Sequence, residues 1–259
     1  MTTPLSPIIA SRVEKAATDN GFDQQLDREG DWLAFASTHC PLRIWLGTFG
    51  DAVLLAALSQ ENVARALGDY GTPIAAPIPP GAAGGRTVTT IPALHDLLRR
   101  AFQLSKTLPD ELLHSFEKRT AGLPKTTEAE RLVVQRVGQD LFREGLMEFW
   151  EGRCAITGLA VPELLRASHI KPWADCETDA ERLDVFNGLL LAPHLDAAFD
   201  SGFVSVDDQG AVIISKALGR EAQQLLGLEQ KQRTRGLSES HRRYLRWHRL
   251  RVFRRVKTL

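Results

Sequence analysis

The stretch from residue 152 to residue 200 constrains this chain more than any other. It holds two of the seven histidines, and His, Asn and Asp gather there at spacings that are useful for chemistry. Residues 164–170 (LLRASHI) predict a short strand, and residues 189–191 predict a second one after the turn dipeptide Asn187-Gly188. Pro193 can open a helix, because proline is well tolerated in the first helical turn. The stretch therefore predicts a strand, a loop, a strand and a helix.

Three short strings follow one another within this stretch: Ala167-Ser168-His169-Ile170, Asn187-Gly188-Leu189-Leu190-Leu191 and Ala197-Ala198-Phe199-Asp200. The series resembles the HNH nuclease family, whose active site is a ββα-metal unit. The fuller string, from GRCAITG through LLRASHIKPW to NGLLL and FD, is similar to the restriction-type branch of that family. The resemblance extends over residues 128–218, about a third of the chain. It implies an N-terminal accessory domain ahead of the nuclease domain.

Hydrolysis of a phosphodiester needs an attacking water, a group that takes its proton and a positive charge at the scissile phosphate. A neutral histidine is a suitable proton acceptor, because its unperturbed pKa lies near neutrality. The resemblance implies that His169 is this general base and that Asn187 holds the loop so that His169 points inward. It also implies that the helix supplies ligands to one divalent metal ion. The expected catalytic group is His169, Asn187 and His194, and the expected metal group is Ser168, Asp196 and Asp200.

Two positions depart from the family pattern. When the chain is aligned on Phe199-Asp200, the last histidine of the usual motif falls on Asp196, and His194 lies two residues earlier. Which of these two side chains replaces that histidine stays open. Many relatives have an acid or a histidine just before the general base, where this chain has Ser168. Two carboxylates four residues apart share one helical face and favour Mg²⁺ or Mn²⁺, with Ni²⁺ and Zn²⁺ as alternatives.

Positive charge is concentrated at the C-terminus, although the formal net charge of the chain is zero. Residues 241–259 contain seven Arg, one Lys and no acid. We predict a helix over residues 238–256 whose basic stripe, with His241 and His248, contacts phosphates. A solvated face is the alternative. The complete set of expected DNA contacts is Arg166, Lys171, Trp173, Arg242, Arg243, Arg246 and Arg249.

The rest of the sequence predicts an α+β protein with a small N-terminal module. Short apolar runs predict strands over residues 32–37 and 42–48, and a strand or a helix over residues 52–58. Period and capping signals predict helices over residues 7–18, 59–67, 92–106, 109–120 and 127–150. The Pro/Gly-rich residues 71–85 predict a linker or an ordered loop. A hairpin is expected around residues 207–210, and a short helix over 218–226. We divide the chain into an N-terminal recognition module (1–90), a helical connector (91–125) and a nuclease domain (126–259).

Three cysteines, at positions 40, 154 and 176, show no paired spacing, which fits a reducing compartment. No stretch is long and apolar enough to predict a membrane span, so we expect a cytoplasmic protein.

The function expected from these features is a metal-dependent DNA endonuclease that restricts foreign or modified double-stranded DNA, with a homodimer as one arrangement that cuts both strands. The alternatives are a DNA-binding or regulatory protein with a decayed nuclease site, and an RNase toxin.

Overall fold

The computed structural model describes residues 3–50, 52–68, 70–75, 77–124, 126–228 and 231–254. The chain forms two compact units, Met1–Leu108 and Pro109–Leu259. The mixed α+β class predicted from the sequence is confirmed. The division by task, at residues 90 and 125, stays a prediction. No helix among the described residues is long and apolar enough to cross a membrane.

The first unit is built on an antiparallel sheet with the strand order β1-β2-β3-β4-β6-β5. Its strands are β1 (Gln24–Gln25), β2 (Leu33–Ala36), β3 (Ile44–Phe49), β4 (Val53–Leu58), β5 (Thr72–Pro73) and β6 (Gly84–Val88). Its helices are α1 (Pro7–Asp19), α2 (Glu61–Ala66) and α3 (Ile91–Thr107). The sequence predicts that Ser59 caps the helix expected over residues 59–67, and this is wrong: the cap position is Gln60, and the Ser59 hydroxyl accepts a hydrogen bond from the amide of Arg43.

The Pro/Gly-rich residues 71–85, of which residue 76 lies outside the described part, belong to the first unit and join this sheet at both ends. They contain β5 and the start of β6. A side chain at position 85 would lie 2.7 Å from the carbonyl oxygen of Ala56, so only glycine allows β6 to approach β4 this closely. The same residues cover a small apolar cluster around Trp32 and Trp45 on one face of the sheet.

The second unit begins with two helices, α4 (Pro109–Thr120) and α5 (Glu128–Phe149). Thr127 and Glu130 have the spacing of a capping box in the sequence, and they form one at the start of α5. The elements that follow, in chain order, are β7 (Arg166–His169), α6 (Asp179–Arg182), β8 (Gly188–Leu191), α7 (Pro193–Asp200), β9 (Val204–Val206), β10 (Val212–Ile214), α8 (Arg220–Leu225) and α9 (Glu239–Arg251).

The strands β7 and β8 pair in antiparallel fashion, with His169 opposite Gly188. A side chain at position 188 would lie 2.6 Å from the ring of Phe142 and 2.7 Å from Leu146, so glycine lets β8 lie directly on α5. Arg143 of α5 donates to the carbonyl oxygen of Leu165 at 2.7 Å, just before β7 begins. These contacts fix the hairpin that carries His169.

The terminal helix, α9, is shorter than predicted, and two of the residues expected on its exposed face are buried. It ends at Arg251, whereas the sequence predicted a helix to residue 256, and residues 255–259 lie outside the described part. The amides of Val252 and Phe253 both bond to the carbonyl of His248, which closes the helix. His241 and His248 are buried, at 0% and 1% exposure, so their expected place in an exposed basic stripe is wrong.

Candidate active site

His169 is held by three contacts that orient its ring. Its Nε2 lies 2.8 Å from the carbonyl oxygen of Arg182, and its ring stacks on Phe142 with a centroid distance of 3.7 Å. The edge of Trp173 approaches it at 5.6 Å. A carbonyl oxygen only accepts hydrogen bonds, so Nε2 carries the hydrogen and Nδ1 of the neutral ring is an acceptor. Burial lowers the pKa of His169 to about 4, which keeps the ring neutral near pH 7.

A cavity of about 440 Å³ lies beside His169. Its polar and charged lining consists of Arg166, Ser168, His169, Asp196, Asp200 and His248. The strand β7 and the helix α7 therefore direct a base, a cation and two carboxylates toward one space. Trp173 adds an aromatic wall.

The two carboxylates on α7 interact with each other and with Ser168. The Ser168 hydroxyl donates to Asp200 Oδ1 at 3.2 Å. Burial raises the pKa of Asp196, and burial together with the charge of Asp196 raises the pKa of Asp200. A cation between the two carboxylates would offset this cost.

The donor set fits a hard divalent cation. No group of three or more His, Cys, Asp or Glu side chains with metal-binding geometry occurs among the described residues. Mg²⁺ is commonly held by one or two carboxylates, with water and substrate phosphate completing its octahedron. Asp196 and Asp200 provide such a pair beside an open cavity.

Asn187 is fully buried and ties both ends of the loop between β7 and β8 together. Its Oδ1 accepts the amide of Lys171 at 2.8 Å. Its Nδ2 donates to the carbonyl oxygens of Lys171 and Glu181, both at 3.2 Å, and to the sulfur of Cys176 at 3.3 Å. All four hydrogen bonds stay within the loop, so Asn187 shapes the segment whose Arg182 carbonyl holds His169.

A comparison with known families finds a match in this region. Residues 154–207 match the model of an HNH endonuclease family. We call residues 154–207 the HNH segment. It contains β7, the Asn187 loop, β8, α7 and β9. HNH domains are nucleases that act on DNA, generally with a divalent metal, so the match supports nuclease activity for this segment. No curated protein shows significant similarity to the chain.

His194 belongs to the HNH segment but lies outside the site. His194 lies near the start of α7, is exposed and does not line the cavity, whereas Asp196 does. Of the two side chains that can replace the last histidine of the motif, Asp196 has the better position. The catalytic role expected for His194 stays a prediction.

The expected DNA contacts divide into two groups. Arg166 and Trp173 line the cavity, and Arg246 is exposed. The other four form ion pairs within the protein: Lys171 with Glu181 at 2.8 Å, Arg242 with Glu239, Arg243 with Asp184 at 2.6 Å, and Arg249 with Asp208 at 2.5 Å. Two arginines of the basic tail, Arg243 and Arg249, are thus paired with acids from other parts of the chain.

Three residues that hold the site were not expected from the sequence. They are Arg182, whose carbonyl fixes the His169 ring, Phe142, on which that ring stacks, and His248, which lines the cavity. Phe142 and His248 lie outside the HNH segment. No local pattern marks them, because each acts through a contact with a distant part of the chain.

Proposed function

We propose that this protein is a metal-dependent DNA endonuclease in which His169 is the general base. The hydrogen bond from Nε2 of His169 to the Arg182 carbonyl carries this proposal. It leaves Nδ1 as the acceptor on a ring that lines a cavity with two carboxylates and Arg166. A base in this position takes a proton from a water that attacks the scissile phosphorus.

The charge of the site suits a phosphodiester. A divalent cation held by Asp196 and Asp200 would supply positive charge at the scissile phosphate and the leaving oxygen. Arg166 lowers the pKa of Asp196 by its charge and lines the same cavity. Its Nη1 donates to the carbonyl oxygens of Glu163 and Leu165, and in this proposal its other N–H groups contact a phosphate oxygen. Ser168 donates to Asp200 and thereby keeps that carboxylate oriented.

DNA contact in this proposal relies chiefly on Arg166, Trp173 and Arg246. The first two line the cavity, and Arg246 is exposed on the terminal helix. Arg243 keeps a side-chain exposure of 67% while it pairs with Asp184, so part of its guanidinium remains accessible. Lys171 and Arg249 are the weaker candidates, since their side chains are 12% and 15% exposed.

The biological role we propose is restriction of foreign or modified DNA in the cytoplasm. The unit Met1–Leu108 carries none of the site residues, which leaves it available to select the target. One site per chain cuts one strand at a time, and a homodimer would present two sites related by twofold symmetry.

A decayed site is the second candidate function. It is favoured by Ser168 at a position where an acid or a histidine is usual, and by the exposed position of His194 outside the cavity. Such a protein would bind DNA without cutting it. An RNase toxin is a third candidate, which differs in substrate.

Cleavage assays separate these functions. We would compare wild type, His169→Ala and His114→Ala in Mg²⁺, Mn²⁺ or EDTA, on plain DNA, modified DNA and RNA. His114 is an exposed histidine on α4 that does not line the cavity, and its replacement controls for the loss of a histidine. The proposal expects metal-dependent DNA cleavage that falls by about 10² to 10⁴ in His169→Ala only.

Two results would contradict the proposal. DNA binding without cleavage in any metal would favour the decayed site, and cleavage of RNA alone would favour the toxin.

A further inference from the structure

The C-terminal end of α7 is held by residues that lie far beyond the HNH segment. His248 Nε2 lies 3.1 Å from the carbonyl oxygen of Phe199. Arg254 Nε donates to the carbonyl of Ser201 at 2.8 Å, and the amide of Arg254 donates to the carbonyl of Gly202 at 2.9 Å. The carbonyl groups of Phe199, Ser201 and Gly202, at the end of α7 and in the turn after it, thus find partners in the last described part of the chain. The Phe199 carbonyl also accepts the amide of Gly202 at 2.8 Å, so His248 supplies its second hydrogen bond.

His248 makes the most specific of these contacts. Its ring is 1% exposed and stacks on the ring of Phe199, with centroids 3.9 Å apart and an interplanar angle of 12°. Because the Phe199 carbonyl only accepts, Nε2 is the donor and Nδ1 accepts from the Ser205 hydroxyl at 2.9 Å. Both nitrogens and one face of the ring are therefore engaged.

The contacts of His248 with Phe199 affect the site, because Phe199 is next to one of its carboxylates in the chain. Phe199 directly precedes Asp200, so a shift of its carbonyl moves the backbone that carries this carboxylate. The helix α7 has only eight residues, which is too short to be stable without tertiary contacts. His248 itself borders the cavity that Asp196 and Asp200 line.

We propose that His248 is a positioning residue that fixes the geometry of the Asp196–Asp200 pair through the Phe199 carbonyl. The inference rests on the proposed function, since it assigns the pair to a divalent cation. It also means that the working site includes a residue from α9, outside the HNH segment.

If His248 only filled space beside Phe199, its two hydrogen bonds would not matter for the site. A phenylalanine at position 248 would keep the stacking on Phe199 but lose both hydrogen bonds. A glutamine has an amide nitrogen and an oxygen that can replace the donor and the acceptor. The pair His248→Phe and His248→Gln therefore separates positioning from filling of space.

The test is calorimetric titration of the metal-free, full-length protein with Mn²⁺, together with its Tm. His241→Phe is the matched control, because His241 is also fully buried on α9 but packs against Phe149, Trp150 and Phe186 and does not line the cavity. We expect His248→Phe to weaken Mn²⁺ binding about tenfold, as removal of groups that orient metal ligands does. His248→Gln should restore most of the affinity, and His241→Phe should lower Tm without changing the Kd.

Every outcome bears on the proposal. A folded His248→Phe protein with an unchanged Kd for Mn²⁺ would overturn it, as would an equal loss in His241→Phe. If His248→Phe does not fold, Ser205→Ala, which removes the hydroxyl bonded to Nδ1, must weaken binding in the same direction, and an unchanged Kd there refutes the inference. Wild type that binds no Mn²⁺ would instead refute the metal-dependent function, and this inference with it.

Discussion

At the scale of single residues, the carboxylates of Asp196 and Asp200 destabilise the metal-free protein, and the proposed function uses them as metal ligands. Each carboxylate is partly desolvated, and the charge of Asp196 raises the pKa of Asp200. We predict that Asp200→Asn increases the Tm of the metal-free protein, because it removes the repulsion and keeps an acceptor for the Ser168 hydroxyl. The same change should weaken Mn²⁺ binding at least about tenfold, since it removes one of two charged ligands.

Thermal unfolding with and without Mn²⁺ measures both effects. A structural pair of carboxylates would give a different signature, in which Asp200→Asn lowers Tm and Mn²⁺ stabilises neither protein. Asp207→Asn provides a control for removing a carboxylate from the same unit, because Asp207 bonds backbone amides in the hairpin of β9 and β10. It should reduce Tm and leave Mn²⁺ affinity unchanged.

His169 and His248 make stability depend on pH. Burial lowers the pKa of each to about 4, whereas a histidine in the unfolded chain titrates near 6.5. Between these values the unfolded state binds more protons than the folded state. The contribution of the two neutral histidines to the free energy of unfolding is therefore complete above about pH 6.5, and it decreases as the pH falls toward 4. Each histidine contributes a slope of up to about 1.4 kcal/mol per pH unit. The raised pKa values of Asp196 and Asp200 act in the opposite direction and reduce the net slope.

Denaturant unfolding of the metal-free protein between about pH 4 and 7 measures this slope. The variant His248→Gln has one buried histidine fewer and should show about half of the histidine contribution. A slope that is unchanged in His248→Gln would mean that His248 does not titrate in this range.

At the scale of elements, the loop between β7 and β8 depends on Asn187. Both polar atoms of the Asn187 side chain form their hydrogen bonds inside the loop, and this side chain is fully buried. We predict that Asn187→Ala reduces the free energy of unfolding by about 2 to 4 kcal/mol, because it leaves buried backbone groups of the loop unpaired. The loss should also reduce cleavage, since the Arg182 carbonyl that holds His169 belongs to this loop.

Glu181→Gln is a suitable comparison for that variant. It weakens the ion pair with Lys171 in the same loop but keeps the buried Asn187 hydrogen bonds. Urea unfolding and single-turnover cleavage should show a clearly smaller effect than in Asn187→Ala. Equal effects would mean that the loop relies on its charges rather than on the buried amide.

The elements of the site were largely predictable from the sequence, because local patterns specify them. The apolar run before His169, the Asn187-Gly188 turn and Pro193 correspond to β7, β8 and α7. The residues that support these elements were not predictable. Arg182 lies 13 residues from His169, and His248 lies 49 residues from Phe199. Such contacts depend on how the chain folds back on itself, which no local period encodes.

The basic tail and the Pro/Gly-rich stretch show the same limit. The sequence shows a cluster of Arg, but not that Asp184 and Asp208, distant in the chain, pair with Arg243 and Arg249. Residues 71–85 carry turn signals throughout, yet they contain β5 and the start of β6, where Gly85 allows close contact with β4. Composition indicated an irregular segment, and tertiary contacts add short strands at its two ends.

At the scale of the whole molecule, the two compact units predict where the chain can be divided. The helix α4 belongs to the second unit, where Leu112 fills the notch at Gly145 of α5 and Phe116 approaches Gly138. We therefore expect a fragment of residues 109–259 to fold, and a fragment of residues 126–259, which lacks α4, to be strongly destabilised. Exposing the apolar side of α5 that Leu112 and Phe116 cover accounts for the difference. Circular dichroism with thermal unfolding compares the two fragments.

The fragment 109–259 also tests the task proposed for the first unit. It retains His169, Asp196, Asp200 and His248, so we expect it to cut plain DNA in Mn²⁺ at a rate within about tenfold of the full-length protein. Preference for modified over plain DNA, measured as the ratio of the two cleavage rates, should be lost, because residues 1–108 are absent. The matched substrate pair makes each protein its own control. A fragment that keeps the full preference would assign target selection to the second unit, and a fragment that binds Mn²⁺ but cuts no DNA would make the first unit part of the catalytic machinery.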